Sequence, residues 1–168
     1  PEAPSQLNCA DGETASGETC EKTPLPSFLN FSELLTSWGE TTPGETSAYI
    51  YDLDYSQSAG EFYPDTTFET ASLYKLFVVY EGYRRLSSGV WTDDADYLFS
   101  DGASFSRLDC LDLAIRESYS PCAERLWDEI GRAELDEIVR TNFGAENTAV
   151  SLTTSTPRDL SQIMARFY

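Results

Sequence analysis

Four cysteines constrain this chain most, because they fall into two locally spaced pairs, Cys9 with Cys20 and Cys110 with Cys122. Neither pair has the Cys-x-x-Cys spacing of a metal knuckle or a redox motif. We predict two disulfides that close short loops, each worth about 3 kcal/mol of stability. Disulfides require an oxidising compartment, so the prediction implies a secreted, periplasmic or cell-surface protein. The alternative is four reduced, buried cysteines in a cytosolic protein.

The composition excludes several classes of partner. The 168 residues suit one domain, 40% of them are hydrophobic, and the formal charge is −18. Such a charge repels phosphates, so we predict no nucleic-acid or anionic-membrane partner. No apolar run approaches the roughly 20 residues of a membrane span, and no export signal opens the sequence, so any signal would already have been removed. The acidity indicates solubility or a salty habitat, or else a cationic partner.

The chain contains no histidine. This excludes Ser-His-Asp and Cys-His mechanisms and removes the commonest zinc ligand, so we predict neither a metal nor another cofactor. A catalytic base must then be a carboxylate, a tyrosine or a lysine. Only two lysines are present, and Lys22 lies in a polar stretch, which leaves Lys75 in the folded body. A buried lysine can lose its proton, whereas arginine stays charged.

Composition divides the chain into a polar tail or linker at residues 1–26 and a domain at residues 27–168. Apolar spacing predicts the following elements: a helix from Ser27 or Asn30 that is ended by Gly39 and Pro43-Gly44, a strand at 47–53, a turn at 54–60 with a returning strand at 61–63, and helices at about 71–87, 107–117, 121–130, 133–142 and from 156 onward.

Ser72 precedes Lys75 by three residues, at the predicted start of a long helix. Residues i and i+3 share a helix face, so the Lys75 amine is expected to reach the Ser72 hydroxyl. Free N–H groups and the helix dipole favour an oxyanion in the same turn. The pair is therefore a candidate nucleophile and base, and the alternative is an exposed lysine on an amphipathic helix.

A second polar segment, Ser118-Tyr119-Ser120, lies between two predicted helices. The predicted Cys110–Cys122 bridge would hold this corner from both sides, as a second catalytic element requires. The alternative is an ordinary helix cap made by Ser118 or Ser120.

Three segments together resemble a known family. Phe68-x-Thr70-Ala71-Ser72-x-x-Lys75-Leu76 is similar to the Ser-x-x-Lys motif of class A β-lactamases and penicillin-binding proteins. The segment 115–124 resembles their Ser-x-Asn loop and the helix after it, and 153–160 resembles the helix start that follows their Ω-loop. The resemblance implies an α+β fold of the β-lactamase/transpeptidase type, with a helical subdomain and the first strands of an antiparallel sheet, incomplete at the C-terminus.

The resemblance also implies roles. Ser72 would attack the carbonyl of a β-lactam or a D-alanyl peptide or ester, Lys75 would take its proton, and Ser118 would relay a proton to the leaving nitrogen. The backbone N–H of Ser72 would be one oxyanion donor, and Ser120 and Tyr119 would contact the substrate. Partners would be small molecules or peptidoglycan peptides.

The sequence departs from the family at three points. Ser120 stands where the family has asparagine, the Lys-Thr-Gly strand is absent, and no Glu-x-x-Leu-Asn pattern occurs near Glu146. We therefore expect a complementary C-terminal segment to supply the third motif and the remaining strands. The departures also leave two alternatives: a D-Ala-D-Ala carboxypeptidase or esterase, and a secreted interaction domain that retains the fold without catalysis.

Overall fold

Helices dominate the computed structural model, which describes Cys9, residues 13–16 and residues 19–168. The described part contains the following α-helices: α1 (Ser32–Thr41), α2 (Tyr74–Ser87), α3 (Arg107–Arg116), α4 (Ser120–Ile130), α5 (Arg132–Phe143) and α6 (Pro157–Phe167). Three short 3₁₀ helices lie at Ser27–Leu29, Ala71–Leu73 and Val150–Leu152.

The strands of the described residues form antiparallel pairs. They are β1 (Glu13–Ser16) with β2 (Thr19–Lys22), β3 (Ala48–Asp52) with β4 (Gln57–Phe62), β5 (Phe68–Glu69) with β8 (Thr154–Ser155), and β6 (Asp96–Leu98) with β7 (Ser104–Ser106). This mixture of helices and small antiparallel sheets confirms the predicted α+β class.

Local sequence signals set several helix boundaries. Ser106 caps α3 reciprocally with Asp109, and the Thr156 hydroxyl accepts a hydrogen bond from the backbone N–H of Asp159 at the start of α6. Pro121 occupies the first turn of α4, where a missing N–H costs nothing. Gly144 adopts a left-handed conformation and ends α5.

The hydrophobic core lies among α2, α3, α4 and α5. Fully buried side chains include Val78, Leu111, Leu126, Trp127 and Leu135. Both predicted disulfides form, and the Cys110–Cys122 bridge joins α3 to α4 within this core. The first turn of α2 and the start of α4 are therefore held on a rigid helical base.

The N-terminal elements differ from the prediction. The helix α1 continues past Gly39 and ends at Thr41, before Pro43-Gly44, and Gly39 is buried against the Phe62 ring. The predicted turn at 54–60 is too long, since β4 already begins at Gln57. The missing side chain of Gly39 thus allows close contact between α1 and β4.

The tail predicted at residues 1–26 lies partly outside the described residues, at 1–8, 10–12 and 17–18. Within the remainder, β1 and β2 form a hairpin, and the Cys9–Cys20 bridge attaches to it. The Lys22 amine donates to the Ser56 carbonyl, and the Gln57 amide donates to the Thr23 carbonyl. The stretch just before residue 27 thus contacts the β3–β4 hairpin.

Candidate active site

Lys75, the second residue of α2, is buried, with only 3% of its surface exposed. Its Nζ donates to the Ser118 carbonyl oxygen at 2.6 Å, to Ser118 Oγ at 2.9 Å and to Ser120 Oγ at 3.0 Å. An ammonium group has three hydrogens, and these three acceptors match them. The structure thus joins Lys75 to Ser118, its predicted partner in proton relay, and to Ser120, which was predicted to contact the substrate.

Ser72 lies in the 3₁₀ turn Ala71–Leu73, directly before α2. Its side chain is exposed and makes no hydrogen bond with any described residue, so the predicted contact with Lys75 is not formed. The hydrogens of the Lys75 amine are directed instead to Ser118 and Ser120. Ala71 has a φ of +46°, a strained value for a residue other than glycine.

The residues just before the turn that contains Ser72 are hydrogen bonded to the segment that enters β8. Both the N–H and the hydroxyl of Thr70 donate to the Thr153 carbonyl, at 2.7 and 2.9 Å. Thr153 itself has a φ of +52°, which aims that carbonyl at Thr70 as the chain enters β8. The residues before Ser72 are therefore fixed to the segment that leads into α6.

The corner formed by Ser118, Tyr119 and Ser120 connects α3 to α4. Ser118 has a φ of +52°, and both serines are exposed where they meet the buried amine. Neither serine caps α4, because Tyr119 is the N-cap residue and no side chain makes a capping hydrogen bond. The capping alternative is thus excluded, and the serines bind Lys75 instead.

The Tyr119 side chain is directed into an aromatic cluster, with its ring centroid 6.3 Å from that of Phe99 and 6.0 Å from that of Phe105. The backbone N–H of Tyr119 donates to the Leu113 carbonyl at 3.1 Å. These contacts hold the corner in place, and substrate contact by Tyr119 stays a prediction.

Two residues that sequence analysis missed adjoin the lysine. The Tyr74 hydroxyl donates to Glu124 Oε1 at 2.9 Å, and the Tyr74 ring stacks on Trp127 with centroids 4.3 Å apart. Glu124 Oε2 accepts from Arg132 at 2.6 Å. Burial, followed by hydrogen bonding to Glu124, raises the pKa of Tyr74 to about 12. Fifty residues separate Tyr74 from Glu124, and no local pattern signals such a pair.

Carboxylates of the flanking helices α5 and α6 hold the segment that leads from α5 to β8. Asp136 accepts from the backbone N–H of Ser151 at 2.8 Å, and Asp159 accepts from the backbone N–H of Asn147 at 2.8 Å. Glu146 is exposed and forms no hydrogen bond or ion pair with the described residues. This segment is therefore pinned at two points without presenting a carboxylate to Lys75.

Two further searches cover only the described residues. No group of three or more histidine, cysteine, aspartate or glutamate residues among them is placed to hold a metal ion. Within the same part of the chain, no helix combines the length and the apolar character needed to cross a membrane.

Several solved structures share the fold of this chain. The structure of PBP-A aligns with a TM-score of 0.70 and 21% identity, over 83% of this chain and 61% of that chain. An ancestral (GNCA) class A β-lactamase aligns at 0.70 and 17%, over 80% and 62%. A class A β-lactamase from Mycobacterium abscessus aligns at 0.68 and 20%, over 80% and 61%. The fold is that of class A β-lactamases.

The sequence also matches the Beta-lactamase enzyme family over residues 30–168, and the chain belongs to that family. No curated protein matches it. The chain spans about three fifths of the length of the solved structures named above.

Proposed function

We propose that the protein is a serine hydrolase that forms an acyl-enzyme on Ser72 with β-lactams or with D-alanyl peptides and esters. The observation that carries the proposal is the buried Lys75 amine, bound to Ser118 and Ser120 and three residues after the exposed Ser72. A nucleophile, a candidate base and a second hydroxyl are thus gathered at one surface, in a chain without histidine.

The proposed acylation balances its protons within the site. In the deprotonated form of Lys75, which donates two hydrogens to the surrounding oxygens and keeps a lone pair, the amine takes the proton of Ser72 as Ser72 Oγ attacks the carbonyl carbon. Lys75 then returns a proton through Ser118 Oγ, 2.9 Å away, to the departing nitrogen as the C–N bond breaks. The product is an ester on Ser72, with the nitrogen protonated and Lys75 neutral again. The exposure of Ser72 and Ser118 leaves both hydroxyls open to a ligand.

A carboxypeptidase or esterase activity is the second candidate, and one observation favours it. Hydrolysis of a β-lactam ester needs a group that activates water. The Glu146 carboxylate is exposed and makes no contact with Lys75, while Asp136 of α5 and Asp159 of α6 are occupied as acceptors for the backbone N–H groups of Ser151 and Asn147. We therefore expect a β-lactam acyl-enzyme to persist.

Labelled penicillin tests the proposal on the full-length protein, with intact mass and peptide mapping as the readout. We expect an adduct on Ser72 that is lost in Ser72→Ala and kept in Ser87→Ala, which removes an exposed serine on α2. A lasting adduct supports the carboxypeptidase or esterase, and turnover without an adduct supports a lactamase. No adduct and no turnover would overturn the proposal in favour of a non-catalytic interaction domain.

A further inference from the structure

We infer that Phe99 and Phe105 are positioning residues that act through the ring of Tyr119. Together the three rings hold the corner between α3 and α4, whose serines bind the Lys75 amine. The kinetic consequence rests on the acylation function proposed above. Phe99 directly follows β6, and Phe105 is the middle residue of β7, so the β6–β7 hairpin gains a role at the candidate active site.

The three rings form one cluster. The Tyr119 ring centroid lies 6.3 Å from that of Phe99 and 6.0 Å from that of Phe105, with interplanar angles of 71° and 76°. These are edge-to-face arrangements, which aromatic pairs favour. The centroids of Phe99 and Phe105 are themselves 5.9 Å apart, and all three rings pack against the hydrophobic core. Two residues of one hairpin therefore hold the Tyr119 ring.

The hairpin that carries these two phenylalanines is itself fixed to α4. The Tyr97 hydroxyl donates to Glu129, and the Arg107 guanidinium donates to Glu129 and to the Tyr97 oxygen. The backbone N–H of Arg107 also donates to the Ala95 carbonyl at 2.9 Å. Glu129 is the second-last residue of α4, whereas Tyr119 is the N-cap residue at its start. The hairpin is thus attached at both ends of one helix and supports the Tyr119 ring rigidly.

The corner needs such support, because Ser118 has an unfavourable backbone conformation. Its φ of +52° is uncommon for a residue other than glycine. Such a conformation persists only where the surrounding structure holds it. In this conformation the carbonyl oxygen and the hydroxyl of Ser118 both accept from Lys75, at 2.6 and 2.9 Å. Loss of the conformation would therefore remove two of the three acceptors of the buried amine.

Tyr119 links the aromatic cluster to both serines, because it stands between them in the chain. Its N–H donates to the Leu113 carbonyl at 3.1 Å, and its carbonyl accepts from the N–H of Ala123 at 3.2 Å. These bonds tie the backbone of Tyr119 to α3 and α4, and the ring contacts fix its orientation. The flanking Ser118 and Ser120 are therefore held where their oxygens meet the amine.

The ring of Tyr119, rather than its hydroxyl, carries this role. The hydroxyl makes no hydrogen bond with any described residue. Tyr119→Phe keeps the two edge-to-face contacts, whereas Tyr119→Leu removes them and keeps an apolar side chain. A contact between the hydroxyl and a substrate would be lost in both variants. The pair of variants therefore separates positioning from substrate contact.

The kinetic test measures the acylation rate constant at saturating labelled penicillin, and separately the dissociation constant, in the full-length protein. We expect Tyr119→Leu to lower the rate constant about tenfold, and Phe99→Leu and Phe105→Leu about threefold each, with dissociation constants within about twofold of wild type. Tyr119→Phe should match wild type in both constants. A wild-type rate constant in Tyr119→Leu, or an equal loss in Tyr119→Phe and Tyr119→Leu, would overturn the inference.

A double variant tests whether the rings act as one unit. Phe105→Leu combined with Tyr119→Leu should be no slower than Tyr119→Leu alone, because both changes break the same cluster. Losses that add in full would show that Phe105 acts by a route other than Tyr119 and would overturn the inference.

Tyr80→Leu is the matched control for a general loss of stability. Tyr80 is also partly buried, and its ring makes two edge-to-face contacts, at 5.1 Å with Phe143 and at 5.5 Å with Phe167. These partners lie on α5 and α6 and not at the corner. We expect Tyr80→Leu to lower the thermal unfolding midpoint as Tyr119→Leu does, with the acylation rate constant of wild type. An equal loss of rate in both variants would overturn the inference.

A second readout does not need the protein to react. With ¹⁵N-lysine labelling, the Nζ resonance of Lys75 is assigned by its loss in Lys75→Arg. We expect it to shift in Tyr119→Leu and to stay in place in Tyr119→Phe and Tyr80→Leu. An unchanged resonance in Tyr119→Leu would refute the positioning role. A shifted resonance in a protein that never acylates would retain that role and reject the proposed function.

Discussion

Lys75 and Ser118 are joined twice, since the lysine amine donates to both the carbonyl oxygen and the hydroxyl of the serine. The two residues are 43 positions apart, so the contact exists only when the first turn of α2 packs beside the corner between α3 and α4. The site is therefore a property of the packed helical core and not of the Ser-x-x-Lys motif alone.

Replacement of Lys75 by arginine should slow acylation by at least about 100-fold, because arginine keeps its proton and cannot act as a base. The measurement is the rate of adduct formation with labelled penicillin. Lys22→Arg is the control, since Lys22 is exposed and its amine contacts the Ser56 carbonyl instead. Equal rates for Lys75→Arg and wild type would exclude a role for Lys75 as base.

Removal of the Cys110–Cys122 bridge, with alanine at both positions, should lower the free energy of unfolding by about 3 kcal/mol. Both cysteines are fully buried between α3 and α4, and the Ser118 corner lies between them in sequence. Adduct formation should slow as well, because the corner loses its covalent support. Urea unfolding and the labelling assay measure the two effects.

Alanine at Cys9 and Cys20 is the comparison for that experiment. This bridge attaches to β2, away from the lysine, so its loss should leave the acylation rate unchanged. A rate that falls equally in both double variants would indicate a general loss of folded protein instead of a local effect at the corner.

Gly39→Ala should destabilise the protein by about 1–3 kcal/mol, although alanine normally favours a helix over glycine by about 1 kcal/mol. The added Cβ would lie 2.1 Å from the Phe62 ring, so the α1–β4 packing must shift. Thermal unfolding measures the change. Ser37→Ala, an exposed position on the same helix, should have little effect. Phe62→Leu combined with Gly39→Ala should recover part of the loss.

Gly39 also shows why sequence analysis reached some features and missed others. Helix spacing located α3, α4 and α5 to within two residues, because amphipathic periodicity is local. Whether a glycine ends a helix or admits an aromatic ring depends on a partner strand, here Phe62, that the local pattern does not reveal. The contact between Tyr74 and Glu124 escaped prediction for the same reason.

Only some of the contacts at the candidate site were predicted from the sequence. The resemblance assigns Lys75, Ser118 and Ser120 to one site, and the structure places the Lys75 amine against both serines, while their roles stay predictions. The Lys75–Ser72 hydrogen bond was expected from the spacing of the two residues and is not formed, because the amine donates to Ser118 and Ser120, which come from a distant part of the sequence. The β6–β7 hairpin was not predicted, as its strands have only three residues each.

Glu81→Gln should lower stability by about 1–3 kcal/mol at neutral pH. The Glu81 carboxylate is fully buried and accepts hydrogen bonds from Arg84 and Arg85. Burial alone would raise the pKa of Glu81, but the hydrogen bonds and charges of the two arginines lower it below 4.5. The carboxylate therefore stabilises the fold above the unfolded-state pKa, and this contribution is lost as the pH falls through the lower folded-state pKa.

Urea unfolding of wild type and Glu81→Gln between pH 3 and 7 checks the sign of this effect. The stability difference between the two proteins should be largest near neutral pH and shrink below about pH 4.5. Both proteins contain the other acid-sensitive groups, so the contributions of those groups to stability cancel in the difference. One such group is Asp65, whose pKa is lowered by its hydrogen bond to Arg158. A difference that grows toward acid pH would contradict the assignment.

The double hydrogen bond from Thr70 to the Thr153 carbonyl has an evolutionary consequence. Thr153, whose carbonyl holds the turn that contains Ser72, follows the segment 144–152 in the sequence. Thr153 is itself held by residues 149 and 150, since its N–H donates to the Val150 carbonyl and Thr154 pairs with Ala149. Length changes confined to residues 144–148 are therefore expected to leave the Thr70 anchor in place. Under the proposed function, acylation by Ser72 and hydrolysis by a carboxylate from that stretch would then be separately heritable traits.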